Sequence, residues 1–327
     1  MKEQKCSLFT NYSEEERGDI FFSTTWCRDR LFSSDNNSEI ISVYDTFRST
    51  DELFQWMRDR PKGRAEIFEI EGNKEVIVVI PTADFEGKYA KECRENIFKG
   101  LHIIFVESGY PKDPYFNYSH SCNIGIKTAL KYNPKWIVVS NDDMYKIDDV
   151  ERLKRELRAL DNKMIYVVFT KPSRYHSIPD NFGRPRITRK ILFSLLPKRR
   201  IQIKAEKKIG INNFPSPSFR YHIFFYKRGY RYLSIADFGI FSSEFIKHSG
   251  CTLFDEIFVT GGEDNDLSLR LSMFSERHAI IEYRIGDYMG SSLGKGVARH
   301  LRNVLNLCYL EYKIENEMDG LSRSILQ

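Results

Sequence analysis

The amino-acid sequence predicts an α/β domain built on a mostly parallel sheet. From about Glu75 onward, runs of β-branched and other apolar residues alternate with segments that have helical spacing. Strand, helix, strand, helix and strand follow one another within about 70 residues. This alternation implies right-handed crossovers, and therefore a doubly wound, twisted sheet with helices on both faces.

The strands are predicted from continuous apolar runs. They cover residues 75–85 (EVIVVIPTADF), 101–109 (LHIIFVESG), 135–144 (KWIVVSNDDM) and 164–170 (MIYVVFT). Such runs are typical of strands buried on both faces of a sheet. The helices predicted after the first three strands cover residues 88–100, 121–134 and 148–161; the first ends at a glycine and the second at a proline.

Three segments lie outside this alternation of strands and helices. Residues 1–74 form a polar N-terminal extension whose role the sequence does not indicate, although Ser49 and Glu52 have the spacing of a capping box and predict a helix over 49–63. The main domain is expected to span residues 75–300. It is interrupted by a basic insertion at about 171–232 and followed by a C-terminal helix over 301–327.

The composition excludes several classes of protein. The 327-residue chain is 41% hydrophobic, which suffices for a core, but no run reaches the roughly 18 to 20 apolar residues of a membrane span. The N-terminus has no apolar signal segment, so we expect a cytoplasmic protein. The six cysteines stand far apart without a CxxC pair, which argues against a zinc knuckle or a disulfide framework and predicts free, mostly buried thiols.

The net charge of +5 is unevenly distributed. Between Lys171 and Arg231 there are sixteen Lys and Arg residues and only two acids, so the rest of the chain is acidic. This segment could dock on an anionic membrane surface, hold a phosphorylated acceptor such as a polyprenyl-linked one, or form a solvated flap. Residues 219–232 interleave aromatic and basic side chains, but no nucleic-acid fold signature accompanies them, so nucleic-acid binding is not expected.

Polar residues follow three of the predicted strands at their carboxyl ends, where ligands of such sheets bind. Thr82 and Asp84 follow the first, Glu107 the second, and the acidic motif Asn141-Asp142-Asp143 the third. The acidic motif could be a turn. However, two adjacent carboxylates after a buried strand repel each other unless a cation or ligand is present, and Mg²⁺ or Mn²⁺ bound with nucleotide phosphates fits such a site.

Five motifs carry a resemblance to a known family. They are "IPTAD" at 80–84, "FVESG" at 105–109, "NIGIKTAL" at 123–130, "VVSNDDM" at 138–144 and "FDEIFVTGGEDNDLSLRL" at 254–271. In this order they resemble glycosyltransferase family 2, whose members have the Rossmann-like GT-A fold. The resemblance covers about Val76 to Lys313 apart from the basic insertion, and it implies an inverting, metal-dependent glycosyltransferase that uses a nucleotide sugar.

The resemblance also implies roles for individual residues. Asp264 would be the catalytic base, with Glu263 beside it to orient the acceptor or tune the pKa. The residues expected at the donor are Thr82, Asp84, Glu107, Asn123, Asn141 and Asp142. Asp143 would bind Mn²⁺ or Mg²⁺. Glu107 could equally be a solvated loop residue, and Asn123 part of an ordinary helix N-terminus.

One position departs from the family pattern. Many relatives have a metal-binding histidine in a His-x-x-Gly-x-Ser pattern, where this chain reads "DYMGSS" from Asp287. A carboxylate ligand there would favour oxygen-preferring Mg²⁺ or Mn²⁺. Asp287 could also be a loop residue without a ligand role.

The segment "GGEDNDLSLRLS" at 261–272 concentrates three acids behind two glycines. Glycosyl transfer needs a base for the acceptor hydroxyl and a stabiliser for the departing diphosphate. The glycines are expected to leave room for substrate, and Leu267, Leu269 and Leu271 to anchor the helix. Acids that merely complement the helix dipole are the alternative. Asp266 is expected to be structural and paired with Arg270.

The expected partners follow from this interpretation. The donor would be a UDP-, GDP- or dTDP-sugar, and the acceptor a glycan, a lipid-linked molecule or a protein. A sugar nucleotidyltransferase-like enzyme is an alternative, although the glycine-rich basic loop after the first strand is missing. A noncatalytic GT-A-fold protein, recruited to a membrane or to nucleic acid through the basic insertion, is another.

Overall fold

The computed structural model describes residues 28–110, 113–160, 163–170, 237–272, 277–288 and 296–316. Over these residues the chain is an α/β structure with a seven-stranded mixed sheet, a separate two-stranded sheet and helices packed against them. The predicted α/β class is therefore confirmed. The basic insertion predicted at 171–232 lies outside the described residues.

Seven strands form the main sheet. From one edge to the other they are β1 (Glu66–Ile70), β3 (Leu101–Glu107), β2 (Asn73–Thr82), β4 (Trp136–Ser140), β7 (Phe238–Ser242), β6 (Val167–Thr170) and β8 (His278–Ile281). β2, β3, β4, β6 and β8 point the same way, whereas β1 and β7 run antiparallel to their neighbours. The sheet is mostly parallel, as predicted, with two antiparallel strands that were not.

The central strands are buried because their side chains are apolar on both faces. In β2, Val78 and Ile80 belong to the core on one face, and Ile77 and Val79 to the core on the other. All four are completely buried. Because successive side chains of a strand point to opposite faces, one continuous apolar run contributes residues to two cores, as the sequence pattern predicts.

Helices cover both faces of the main sheet. One face packs against α3 (Lys88–Glu92), the π-helical turn that continues it (Cys93–Ile97) and α5 (Val150–Arg158); the other packs against α4 (Tyr118–Leu130), α6 (Ser243–His248) and α7 (Glu263–Ser272). The sequence predicts one helix over 88–100. Instead, the amide of Phe98 bonds to the carbonyl of Cys93, five residues back, which gives the wider turn.

The second, smaller sheet consists of β5 (Met144–Lys146) and β9 (Ile285–Asp287), which run antiparallel. Met144 pairs with Asp287, and Met144 and Ile285 are buried in the same core as α3 and α5. β5 starts directly after Asp143, and β9 ends at Asp287. The small sheet therefore brings these two acids close together, although 143 positions separate the strand partners Met144 and Asp287 in sequence.

A third core joins distant parts of the chain. Helices α1 (Asn37–Tyr44) and α2 (Thr50–Asp59) pack against α8 (Gly296–Asn316). The hydroxyl of Tyr44 donates to the carbonyl of Leu301 at 2.7 Å. Phe258 and Leu269 belong to the same core, so it extends to the segment before α7 and to α7 itself.

The capping prediction for α2 is confirmed. The Ser49 side chain accepts a hydrogen bond from the amide of Glu52 at 3.2 Å. The Glu52 carboxylate reaches back to the amide of Arg48, at 2.7 Å, one residue before the cap. The helix ends at Asp59, shortly before Pro61, which is where the proline signal places its end.

The observed elements differ slightly from the segment boundaries predicted from the sequence. β1 lies within residues 1–74, yet it pairs with β3 at the edge of the main sheet. β2 begins at Asn73 and α8 begins at Gly296, a few residues before the starts predicted for the main domain and the C-terminal helix. Part of the N-terminal extension is thus continuous with the sheet.

Two findings bear on membranes and thiols. Within the described part of the chain, no helix combines the length and the hydropathy needed to cross a bilayer. Cys93, Cys122, Cys251 and Cys308 are free thiols, and all but Cys251 are buried. The prediction of free, mostly buried thiols is confirmed for these four.

Candidate active site

The site lies where the carboxyl ends of β2, β3 and β4 meet the start of β7. Because β7 runs antiparallel to β4, its first residues lie beside the last residues of β4. The amide of Asn141 donates to the carbonyl of Asp237 at 2.9 Å, and the Asn141 side chain donates to the Asp237 carboxylate at 3.1 Å. The hydroxyl of Tyr118, on α4, donates to the side-chain oxygen of Asn141 at 2.9 Å. Asn141 therefore links three elements at this edge.

Asp142 is tied to the neighbouring strand. The hydroxyl of Thr82, at the end of β2, donates to the Asp142 carboxylate at 2.7 Å. Burial, aided by the charge of Asp143 and opposed by the hydrogen bond from Thr82, raises the pKa of Asp142 to about 6. The structure thus brings two of the predicted donor-binding residues into direct contact.

Asp143, Asp237 and Asp287 form a carboxylate cluster. Asp143 and Asp287 are only 8% and 3% exposed, and the amide of Tyr288 donates to the carbonyl of Asp143 at 2.9 Å. Burial raises the pKa of Asp237 to about 7, aided by a hydrogen bond to Asp287 and by the charges of Asp287, Asp143 and Asp264. A carboxyl group buried beside like charges holds its proton more tightly unless a cation offsets those charges.

Asp237 is the residue that sequence reasoning missed. It stands directly before the apolar run of β7, and none of the five quoted motifs includes it. The missing information was the antiparallel direction of β7, which sets the start of this strand beside the end of β4. A polar residue before an apolar strand predicts a site only when that direction is known.

Glu263 lies at the first position of α7 and is buried, 8% exposed. Its carboxylate accepts a hydrogen bond from the amide of Gly261 at 2.5 Å. Burial raises the pKa of Glu263 to about 8, and the charge of Asp264 adds to the effect. Glu263 thus bonds to the backbone before its own helix and is electrostatically linked to its neighbour.

Asp264 is more accessible than Glu263, being partly exposed. One of its oxygens accepts hydrogen bonds from the amide of Asn265 at 2.8 Å and from the Asn265 side chain at 3.0 Å. Burial raises its pKa, against these bonds and the charge of Arg299. The charge of Asp264 also raises the pKa of Asp237, so Asp264 lies within electrostatic reach of the carboxylate cluster.

The anchors of α7 are those predicted. Leu267, Leu269 and Leu271 are completely buried; Leu267 and Leu271 pack beneath the sheet, and Leu269 packs in the third core. Asp266 is also completely buried and pairs with Arg270 at 2.9 Å, which confirms its structural role. Lys313 of α8 adds a second pairing to Asp266, at 2.8 Å.

The approach loop, residues 253–262, leads into α7 and is held from one side by α4. Asn123 is completely buried, and its amide group makes four hydrogen bonds to this loop, at 2.8 to 3.2 Å. The ring of His120 bonds to the carboxylate of Glu256 at 2.8 Å. Asn123, predicted at the donor, is therefore fully engaged in holding the approach loop.

The other side of the approach loop is held by α8. The buried amide side chain of Asn306 accepts from the Val259 amide at 2.9 Å and donates to the Val259 carbonyl at 3.1 Å. Gly262 has φ +85, and a Cβ there would lie 3.2 Å from Cβ of Asn306 and 3.3 Å from the Phe258 ring. The expectation that this glycine leaves room for substrate is corrected: it provides a left-handed turn against α8.

Glu107 and Asp84 lie at the ends of β3 and β2. Glu107 accepts a hydrogen bond from the amide of Phe85 at 2.8 Å, and its other oxygen lies 3.4 Å from the Arg64 guanidinium. Asp84 is exposed and accepts from the amide of Glu86 at 3.0 Å. Both oxygens of Glu107 thus have partners within the protein, whereas Asp84 is open to solvent.

The residues fit a divalent cation that is shared with a phosphorylated ligand. Within the described residues, no three His, Cys, Asp or Glu side chains are grouped to hold a metal ion by themselves. Mg²⁺ and Mn²⁺ in nucleotide sites commonly use only one or two carboxylates, with phosphates and water as the other ligands. Asp143, which directly precedes β5, and Asp287, at the end of β9, supply an oxygen donor set of that size.

Comparison with known proteins does not identify a family for this chain. No protein-family model matches the chain, and no curated protein is significantly similar to it in sequence. The function is therefore inferred from the quoted motifs and from the positions that their residues occupy in the structure.

Proposed function

We propose that the chain is an inverting, metal-dependent glycosyltransferase with the GT-A fold, which moves a sugar from a nucleotide-sugar donor to an acceptor hydroxyl. The observation that carries the proposal is the convergence of four acids, which follow β4, precede β7, end β9 and begin α7, on one side of a mostly parallel sheet. Four separate segments contribute Asp143, Asp237, Asp287 and Asp264 to this side. A turn or a helix-dipole role would explain one such acid, but not their convergence.

The donor would lie across the ends of β2 and β4. Thr82 and Asp142 are joined by a hydrogen bond there, and the exposed Asp84 lies beside them. Hydroxyl and carboxylate groups of this kind can bind ribose or phosphate-bound water. Asn141 lies at the same edge, where a UDP-, GDP- or dTDP-sugar would extend toward α7.

Asp143 and Asp287 would hold the Mn²⁺ or Mg²⁺ ion, with Asp237 next to Asp287. When bound, such an ion neutralises charge on the departing nucleoside diphosphate. Binding of the ion would lower the raised pKa of Asp237 and release its proton, because the cation offsets the negative charges around this group. Metal affinity should therefore increase with pH.

Asp264 would act as the base. It accepts the proton of the acceptor hydroxyl as the acceptor oxygen bonds to the anomeric carbon, while the bond from that carbon to the diphosphate oxygen breaks and the configuration inverts. Asp264 suits this role better than Glu263, because it is partly exposed whereas Glu263 is buried against the Gly261 amide. A raised pKa makes Asp264 a stronger base.

The acceptor class and the location in the cell belong to the same proposal. The acceptor would be a glycan, a lipid-linked molecule or a protein, and the chain would work in the cytoplasm, with peripheral binding to anionic membranes through residues 171–232. Each basic residue near such a surface adds roughly 1 kcal/mol. Binding to anionic vesicles should therefore weaken as salt is raised.

Two experiments test the proposal. Calorimetry with UDP, GDP or dTDP and Mn²⁺ should detect binding that Asp143→Ala abolishes. Asp264→Asn should bind the same nucleotide with unchanged affinity but lose about 10²- to 10⁴-fold in transfer rate, the typical contribution of a general base. Failure of all three nucleotides to bind, with or without Mn²⁺, would exclude a nucleotide-sugar enzyme.

A further inference from the structure

Two exposed aromatic side chains lie next to each other beside the carboxylate cluster. Tyr288 is 63% exposed and Tyr89 is 46% exposed, and their ring centroids are 6.5 Å apart. The half-buried ring of Tyr145 is 5.0 Å from that of Tyr288. Single exposed aromatic residues are normal, but two exposed rings beside a half-buried third form a continuous patch of the kind that marks a binding site.

The small sheet gives this tyrosine surface its shape. Tyr145 of β5 is paired with Gly286 of β9. A Cβ atom at position 286 would lie 2.1 Å from Cζ of Tyr145, so the ring lies across the strand where a side chain would otherwise stand. Successive rings are tilted by 49° and 40°, so they are not stacked flat on one another. The exposed fraction of Tyr288 leaves most of that side chain open to a ligand.

The tyrosine surface is continuous with the candidate active site. Tyr288 directly follows Asp287, and its amide bonds to the carbonyl of Asp143. Tyr145 stands two residues after Asp143. The proposed metal ligands and two of the three tyrosines therefore lie within or directly beside β5 and β9, and a molecule on these rings would lie next to the reacting groups.

We propose that Tyr89, Tyr145 and Tyr288 bind a pyranose ring of a glycan acceptor, an inference that rests on the proposed transferase function. A pyranose has an apolar C–H face and a rim of hydroxyls, which match the face and the hydroxyl of tyrosine. The nucleoside of the donor has its expected contacts elsewhere, at Thr82 and Asp84. A protein partner would need roughly 800 Å² of surface, far more than three rings supply.

The experiment measures glycan and nucleotide binding separately. Saturation-transfer NMR and calorimetry are run with four trisaccharides, cellotriose, maltotriose, mannotriose and chitotriose, and with UDP, GDP and dTDP in the presence of Mn²⁺. The proteins are the wild type, Tyr288→Ala, Tyr288→Phe and, as a matched control, Tyr110→Ala. Tyr110 is 82% exposed and lies outside the tyrosine surface.

At least one trisaccharide should bind the wild type and Tyr110→Ala equally. Tyr288→Ala should weaken it roughly tenfold, as expected for losing one aromatic contact, and Tyr288→Phe should keep most of the affinity because the ring face remains. Nucleotide affinity should change less than about twofold in all variants, which is a small free-energy difference.

Two results would overturn the inference directly: no trisaccharide binding, or equal trisaccharide binding by wild type and Tyr288→Ala. Loss of nucleotide binding in Tyr288→Ala would also overturn it, because the tyrosine rings would then contact the nucleobase of the donor. A different result would disprove the proposed transferase function. If no nucleotide binds but a trisaccharide binds in a Tyr288-dependent way, the transferase is excluded and the glycan site stands.

Discussion

Asn306 holds Val259 by both atoms of its amide group, accepting from the Val259 amide at 2.9 Å and donating to its carbonyl at 3.1 Å. Val259 lies five residues before Asp264, in the approach loop. A backbone amide and carbonyl that belong to neither helix nor sheet are thereby satisfied by one buried side chain. The C-terminal helix α8 thus fixes the backbone that leads into the proposed catalytic helix.

Asn306→Ala should therefore release the approach loop. It leaves a buried amide and a buried carbonyl of Val259 without this partner, so we expect a loss of about 1 to 3 kcal/mol in the free energy of unfolding. Hydrogen exchange should accelerate at Val259 and in the residues up to Gly262. The transfer rate should fall while nucleotide affinity stays the same.

A variant on the same helix provides the control. Asn316 is exposed and bonds to the carbonyl of Tyr312, so Asn316→Ala should leave both exchange and stability nearly unchanged. Unaltered exchange over 259–262 in Asn306→Ala would show that Asn306 does not hold the approach loop.

Lys313→Met should be strongly destabilising. Lys313 is 5% exposed and pairs with Asp255 at 2.6 Å and with the completely buried Asp266 at 2.8 Å. Removing one partner of a buried ion pair leaves uncompensated charge, which typically costs about 3 to 5 kcal/mol. Urea unfolding of the variant measures the loss.

Lys154→Met is the matched comparison for Lys313→Met. The Lys154 side chain is 15% exposed, but its partner Glu151 is 72% exposed, so removing Lys154 leaves no buried charge and should cost only about 0 to 1 kcal/mol. Equal effects of the two substitutions would mean that the pairing of Lys313 is screened by solvent, contrary to its burial.

Glu263→Gln should stabilise the ligand-free protein by an amount that grows with pH. Burial and the charge of Asp264 raise the pKa of Glu263 to about 8, well above its unfolded value of about 4.3. Between these pH values the native state keeps a proton that the unfolded chain has released, so native stability falls as pH rises and levels off above about pH 8. Glutamine has no such proton to lose.

Thermal unfolding of wild type and Glu263→Gln at pH 5 and pH 8 tests this. The variant should exceed the wild type at pH 8 by at least about 1 kcal/mol more than at pH 5. Glu244→Gln, at an exposed position of α6, serves as control and should give no such trend. A difference between wild type and Glu263→Gln that is the same at both pH values would contradict the raised pKa.

Asp287→Ala should raise the Mn²⁺ concentration needed for nucleotide binding, because it removes one of the two proposed ligands. Calorimetric titration of Mn²⁺ into protein with saturating nucleotide measures the shift directly, without an activity assay. Asp287→His should recover part of the affinity, since imidazole also binds Mn²⁺. An unchanged Mn²⁺ titration in Asp287→Ala would remove Asp287 from the metal site.

The fold class was predictable because it depends on local patterns. The apolar runs that became β2, β3 and β4 are uninterrupted, and the capping signal at Ser49 is contained within four residues. Strand direction is not a local property. β7 is as apolar as its neighbours, and nothing in its sequence distinguishes an antiparallel strand from a parallel one when both are buried.

The candidate site was predictable in part for the same reason. Asp142, Asp143 and Asp264 stand in local motifs, whereas Asp237 joins them only through the antiparallel pairing of β7 with β4. The roles of Asn123 and Gly262 could be recognised only from the segments that pack against them. An asparagine in a helix and a glycine before one look like substrate contacts until the approach loop and α8 are seen beside them.

The bond between Tyr44 and Leu301 joins residues 257 positions apart. Closing so long a stretch of chain is entropically costly, and contacts of high sequence separation form slowly. The β2–β3–β4 region, by contrast, can assemble from neighbouring segments. We therefore expect the third core, and with it the ordered approach loop, to be completed late in refolding, so that catalytic competence would lag behind formation of the sheet.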